Sequence, residues 1–314
     1  MNLKKDNKSH IDIIKLKFKI DKRDNFINIF GFDFVKENKS KCKMIVEGKE
    51  KEIQNKFNIK DFNKDYLHLD LKIINNLNTI NSIFHNCSSL LSISDSLSEL
   101  DVSKMINFNY IFCGCSSLKN LPDISKWDIK SSKEFNYIFS DCSSLVSLPE
   151  ISNWNTSNVL SMEFTFNNCS SLLNLPDLSK WDLSNVKNID FMFNGCDSLL
   201  YLPDISNWNT ENIQKIDYLF ANCGKLSSIP DISKWNLNKV INISFIFLGC
   251  RSLNSLPDIS KCGLNNALNY NLMFYNCVSL SSLPDLQKVI NKKAQQIINV
   301  FGNCFNSINV DKFN

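Results

Sequence analysis

Apolar and polar positions recur along most of this chain with a period of 27 residues. From Cys87 to Cys304, nine cysteines stand 28 residues apart at the first step and 27 apart at every later one. A phenylalanine precedes each by three residues, from Phe84 to Phe301, and a leucine follows by three in eight of the nine, from Leu90 to Leu280. All seven prolines occupy one repeat position, Pro122 to Pro284, and all five tryptophans another, Trp127 to Trp235. Agreement at several positions over nine units means tandem copies of one supersecondary unit, none of which can bury its apolar face alone.

Each repeat position predicts a local conformation. Asp or Asn follows every tryptophan, as in Asp128 and Asn155, and both side chains favour turns and helix N-caps because they accept from free backbone N–H groups. Apolar residues then recur at helical spacing, as in Val186, Ile189, Met192 and Phe193, which predicts a helix of about two turns. Asn, Gly or Asp precedes each repeat cysteine, and these residues best tolerate the left-handed conformation that ends helices. An extended segment such as Leu118–Leu121 follows, then Pro-Asp. Proline cannot donate to a sheet ladder, so the strand must end there. The predicted fold is an α/β solenoid, a leucine-rich-repeat-like array of short parallel strands and short helices, with Phe, Cys, Leu and Trp stacked as internal ladders. At ~4.8 Å per step the array would be roughly 40 Å long.

The ends of the pattern differ. The first repeat carries Ser94 where the others carry proline, and Cys262 stands where the next tryptophan would be, which predicts looser packing there. The last repeat is truncated after Cys304 and follows a Lys- and Gln-bearing stretch, Gln287 to Gln296, that reads as a polar capping helix. Residues 1–78 lack the period and form a small β-rich or α+β N-terminal domain ahead of the array, 79–314. Ile14–Ile20, Phe26–Phe30, Cys42–Val46, Lys51–Ile53 and Leu67–Ile74 read as strands and Glu47-Gly48 as a hairpin turn. This domain would cover the open edge of the first repeat; an independent binding module is the alternative.

Charge sharpens the division. Residues 1–78 carry 18 Lys/Arg against 12 Asp/Glu, a net +6, and the remainder carries 17 against 20, a net −3. That excess hints at an anionic partner but is too diffuse, and without a recognised motif, to indicate nucleic acid. No apolar run follows the first lysines as an export signal would require, and no stretch has the ~18–20 apolar residues of a membrane span, so a cytoplasmic location is expected.

Little here suggests catalysis. The three histidines, His10, His68 and His85, form no nucleophile–base pattern, and no phosphate-binding glycine loop occurs. The cysteine column reads as small buried apolar residues. Zinc would need clustered ligands, and disulfides an oxidising compartment. Cys113 falls at a variable position and is the candidate exposed thiol. No metal or other cofactor is expected.

Two columns are candidate surfaces. If the leucine before each proline points inward, its predecessor faces out: Asn120, Ser147, Asn174, Tyr201, Ser228, Ser255 and Ser282. Tyr201 is the amphipathic member suited to anchor a partner, with Leu173 and Leu200 adding apolar surface. The acidic column Asp123, Glu150, Asp177, Asp204, Asp231, Asp258 and Asp285 would stack one repeat apart. Its carboxylates fit Asx-type turns, a calcium-binding column, or a basic partner.

The run Phe-x-x-Cys-x-Ser-Leu-x-x-Leu-Pro-Asp-Ile-Ser-x-Trp-Asn/Asp-x-x-x-Val, best seen from Phe112 to Leu286, resembles the BspA-like leucine-rich repeats of bacterial surface proteins, mycoplasma lipoproteins and protist expansions. Members with Leu-Asp-Leu-Ser in the strand lack the extra proline of Leu121-Pro122-Asp123-Ile124-Ser125. The resemblance implies protein binding or adhesion by the repeat face. Sequence therefore predicts a non-catalytic scaffold for a protein or peptide, with no small-molecule substrate, or alternatively a surface adhesion protein.

Overall fold

The structure, a computed structural model, describes residues 12–281, 286–290 and 292–304. Its N-terminal region contains β1 (Asp12–Lys19), β2 (Phe26–Asn28), α1 (Phe32–Asn38), β3 (Cys42–Val46), β4 (Lys49–Glu52), β5 (Lys56–Asn58) and β6 (Tyr66–Ile73). Alternation explains the sheet: Ile14, Leu16 and Phe18 of β1, Met44 of β3, and Leu67, Leu69 and Leu71 of β6 are all buried on one face. Glu47 and Gly48, at φ 50° and 72°, form the expected two-residue hairpin between β3 and β4. Sequence missed α1 and β5, elements of seven and three residues that are too short to show a period.

The sheet does not stop at residue 78. Its order is β4-β3-β6-β1-β7, all antiparallel, and β7 (Leu90–Ile93) belongs to the first repeat. The equivalent segment of later repeats, such as Leu118–Leu121, is not a strand. It becomes one only where β1 supplies a partner. Ser94 explains itself here: its N–H donates to the Lys15 carbonyl at 2.9 Å and its Oγ accepts from the Lys15 N–H at 2.9 Å. Proline could make neither bond. Gly31 closes the same junction, its N–H donating to the Ile83 carbonyl at 3.1 Å, and a Cβ there would lie 1.9 Å from the Ser82 carbonyl oxygen.

The repeats correct the predicted helices and strands. Residues 105–115 and their counterparts are successive turns, not helices. Alternate N–H groups leave the repeat altogether. Phe108, Tyr110, Phe112 and Gly114 donate to the carbonyls of Glu134, Asn136, Ile138 and Ser140 in the next repeat, at 2.8–3.1 Å. Further along, Met162, Phe164, Phe166 and Asn168 donate to Asn188, Asp190, Met192 and Asn194 in the same way. An α-helix would have kept these bonds within the segment. The helical reading failed because turns closed by i→i−3 bonds, such as Cys115 N–H to Phe112 and Leu118 N–H to Cys115, set a three-residue period that mimics a helical one. The regular extended contact between repeats is a single parallel bridge per step, through Asn107, Glu134, Ser161, Asn188 and Lys215 and again through Asn242, Asn269 and Gln296.

Each turn segment crosses the left-handed region twice. The residue before the cysteine does so in all nine repeats, from Asn86 to Asn303, as expected. Four residues earlier a second positive φ falls on Tyr110, Tyr137, Phe164, Phe191, Tyr218, Phe245 and Leu272. No sequence rule places bulky side chains there, and that φ also forbids a helix through the segment.

Packing follows the ladders. Phe84 through Phe301 stack ring on ring, with centroids 5.3–5.9 Å apart. Cysteine does more than fill space: from Cys115 to Cys304 each repeat thiol donates to the phenylalanine carbonyl of the preceding repeat at 3.0–3.2 Å. The tryptophan indole N–H groups donate likewise, Trp154 to Ile124 at 3.2 Å and Trp235 to Ile205 at 3.0 Å. Cys262 replaces the next tryptophan and keeps that bond, with Sγ 3.2 Å from the Ile232 carbonyl. Cys113 is buried rather than exposed, and burial pushes its thiol up to about 12. The proposed capping helix is reduced to α2 (Leu286–Val289), because Gln296 rejoins the bridge column opposite Asn269.

Ser94→Pro and Gly31→Ala should each destabilise the protein by about 1–3 kcal/mol, through two lost edge bonds and a backbone clash respectively. Urea unfolding checks this; unchanged midpoints would show that the N-terminal region is not bonded to the first repeat.

Candidate binding surface

Inward and outward positions alternate at the proline turn as the sequence indicated. The residues before the proline, Leu121 to Leu256, are buried or packed against the core. Their predecessors Asn120, Ser147, Asn174, Tyr201, Ser228 and Ser255 are exposed; Ser282 lies outside the described residues. The surface is not the sheet face that was expected. It is a stack of extended loops with few inter-repeat bonds, such as Leu173 N–H to Val146 and Leu200 N–H to Leu173. Its middle is apolar: Val146, Leu173, Leu200 and Tyr201 are 38%, 42%, 48% and 55% exposed. Lys119 flanks them on one side, and Ser227, Asn254 and Ser281 on the other.

The acidic column is built from Asx-type turns. Asp123, Asp177, Asp204, Asp231 and Asp258 accept from the N–H two residues on at 2.8–3.2 Å, and Glu150 does the same at 3.0 Å. Hydrogen bonds from Ser125, Ser179, Ser206, Ser233 and Ser260 hold those five aspartates below the usual carboxylate range. Asp285 lies outside the described residues. Among the described residues no group of three or more His, Cys, Asp or Glu is placed to hold a metal ion. Lys180 and Lys234 reach Asn153 and Asn207 of the preceding repeat rather than the carboxylates. His68 is exposed and His85 half-buried beside Tyr110, its ring held below the usual imidazole range by burial. His10 lies outside the described residues.

Two features escaped the sequence reading. The half-buried residues at the second left-handed position form another ring ladder, Tyr110 to Phe245, with centroids 4.4–4.8 Å apart. A 27-residue aromatic column was there to find, but it was absorbed into the supposed helix. Beside it runs a groove of about 910 Å³ lined by Asp190, Asp217, Lys215, Lys239, Ile241 and Asn242, among others. Asp190 and Asp217 sit one repeat apart. Asp190 accepts from the Asp217 N–H at 2.7 Å, and Asp217 Oδ2 from Asn242 at 2.6 Å, while Asp217 Oδ1 is buried without a partner. Burial pushes Asp190 up to about 6; burial, then the neighbouring Asp190, pushes Asp217 up to about 7.

Comparison with known proteins agrees with the repeat. Residues 51–172, 146–200 and 199–313 match the family model described as "Mycoplasma protein of unknown function, DUF285". The chain belongs to this family. No curated protein matches the DUF285 chain. A solved leucine-rich repeat protein from Bacteroides ovatus is 18% identical over 72% of this chain and 73% of its own, with a TM-score of 0.22. Among the described residues no helix is long and apolar enough to cross a membrane.

Because Asp190 and Asp217 are raised in the folded state, they bind protons there that the unfolded chain releases. Their contribution is fully present below the ordinary carboxylate pKa and is lost as pH rises through about 6 and 7. Asp217→Asn should therefore raise the Tm above pH 7, by about 2–4 °C, and flatten its fall between mildly acidic and neutral pH. Scanning calorimetry across that range is the test; a lower Tm above pH 7 would mean the carboxylate is satisfied in its charged form.

Proposed function

We propose that this DUF285 chain is a non-catalytic, leucine-rich-repeat-like solenoid that binds a protein or peptide along the face carrying Asn120 to Ser255. The observation that carries the reading is the apolar patch of Val146, Leu173, Leu200 and Tyr201, held outward in the middle of an otherwise polar column. Isolated exposed apolar residues are ordinary, but a contiguous group of leucines around a tyrosine is the composition of an interface centre. Loops carried on a stacked, hydrogen-bonded core keep those side chains preorganised, which lowers the ordering cost of association. Residues 1–78 act as the cap of the first repeat, a role supported by the bonds through Gly31 and Lys15.

The absence of a nucleophile–base pattern in the sequence supports a binding rather than a catalytic role. The engagement of the exposed aspartates in turns supports a structural role for the acidic column. The resemblance to BspA-like repeats supports adhesion at a cell surface as the second reading.

The test is capture from a lysate of source cells with wild type and with an Asn174→Arg, Tyr201→Arg, Ser228→Arg variant shown by circular dichroism to be equally folded. A partner held by wild type and lost by the variant is the expected result. Equal retention would reject this face, and surface labelling of intact cells would support the adhesion reading.

A further inference from the structure

The five-stranded sheet has a second face, turned away from the core, and its charge is unevenly compensated. Lys43 and Lys72 on that face are neutralised by Glu52 and Glu50 of β4. Lys22 pairs with Asp65, and Arg23 with Asp21. Lys15, Lys17 and Lys19 of β1 differ: none forms an ion pair with another described residue. They alternate with the buried Ile14, Leu16 and Phe18, so all three point the same way. Across the sheet they oppose Asp70, His68 and Tyr66 of β6. The one carboxylate, Asp70, makes no ion pair with the described residues. Tyr66, 44% exposed, lies under Lys17, whose Nζ sits 4.1 Å from the ring centroid and is steered by it.

From this geometry we infer a second binding surface, distinct from the array face, on which Lys15, Lys17 and Lys19 receive an acidic segment in extended conformation. Charge complementarity and spacing both argue for it. Alternate residues of an extended strand lie ~6.6–6.8 Å apart. A peptide with carboxylates at every second position presents them at the same interval as the lysines of β1. A single-stranded nucleic acid would want free aromatic faces for its bases, and the Tyr66 ring is already covered by Lys17. An anionic membrane would want basic charge spread in two dimensions, whereas Lys43 and Lys72 beside the row are neutralised.

Fluorescence anisotropy on the full chain tests this with three probes: a labelled peptide alternating glutamate and serine, labelled oligouridylate, and labelled vesicles of phosphatidylserine and phosphatidylcholine. The peptide should bind, more weakly as salt rises, and Lys15→Gln, Lys17→Gln, Lys19→Gln should weaken it about tenfold. A control with Lys126→Gln, Lys180→Gln and Lys234→Gln removes the same charge from the array and should leave affinity unchanged. No peptide binding by wild type, equal loss in the control, or preference for oligouridylate or vesicles would each overturn the inference. Because the array face is untouched, loss of the partner captured there leaves this result unaffected.

Discussion

The structure depends on backbone N–H groups that find their acceptors one repeat away. In each turn segment alternate amides, such as Phe108 to Gly114, point along the array and close on carbonyls of the next repeat. Buried amides must be satisfied, and here that requires a neighbour. A repeat without one would leave several unpaired donors on an apolar core, so the unit is stable only in the stack. The side-chain ladders reinforce the same direction. Thiol and indole donors reach back to the previous repeat while phenylalanine rings stack on both sides.

The amides of the first repeat, such as Phe84 N–H to Ile111, are satisfied by the second, but its carbonyls lack donors from a preceding repeat, and this accounts for the N-terminal region. The first repeat has no predecessor, so something else must cover it. β1 turns the segment Leu90–Ile93 into a strand, Gly31 donates to Ile83, and Asn28 Nδ2 donates to the Asn86 carbonyl at 2.9 Å. The same reasoning explains why Ser94 stands where later repeats tolerate proline: in the array that N–H has no ladder to join, and at the edge it does.

How far the sequence could be read follows from what leaves a period behind. The repeat, its left-handed turn before each cysteine, the inward leucines, the outward Asn120 column and the Asx-type turns were all legible, because each depends on residue type at one position. The helices were misread because i→i−3 turns leave an apolar spacing close to a helical one. The aromatic ladder at Tyr110 to Phe245 was hidden by the same error. The Asp190–Asp217 pair was not legible at all: its burial arises from stacking, and neither residue is unusual within its own repeat. Cys113 shows the limit in reverse, since position suggested exposure where the fold gives burial.

Native-state hydrogen exchange tests the central claim most directly. If the stack stands only as a whole, the inter-repeat amides of Met162, Phe164, Phe166 and Asn168 should share one opening free energy, close to that of global unfolding measured with denaturant. Exchange of these amides by separate local openings, repeat by repeat, or protection arranged as in continuous helices, would contradict it.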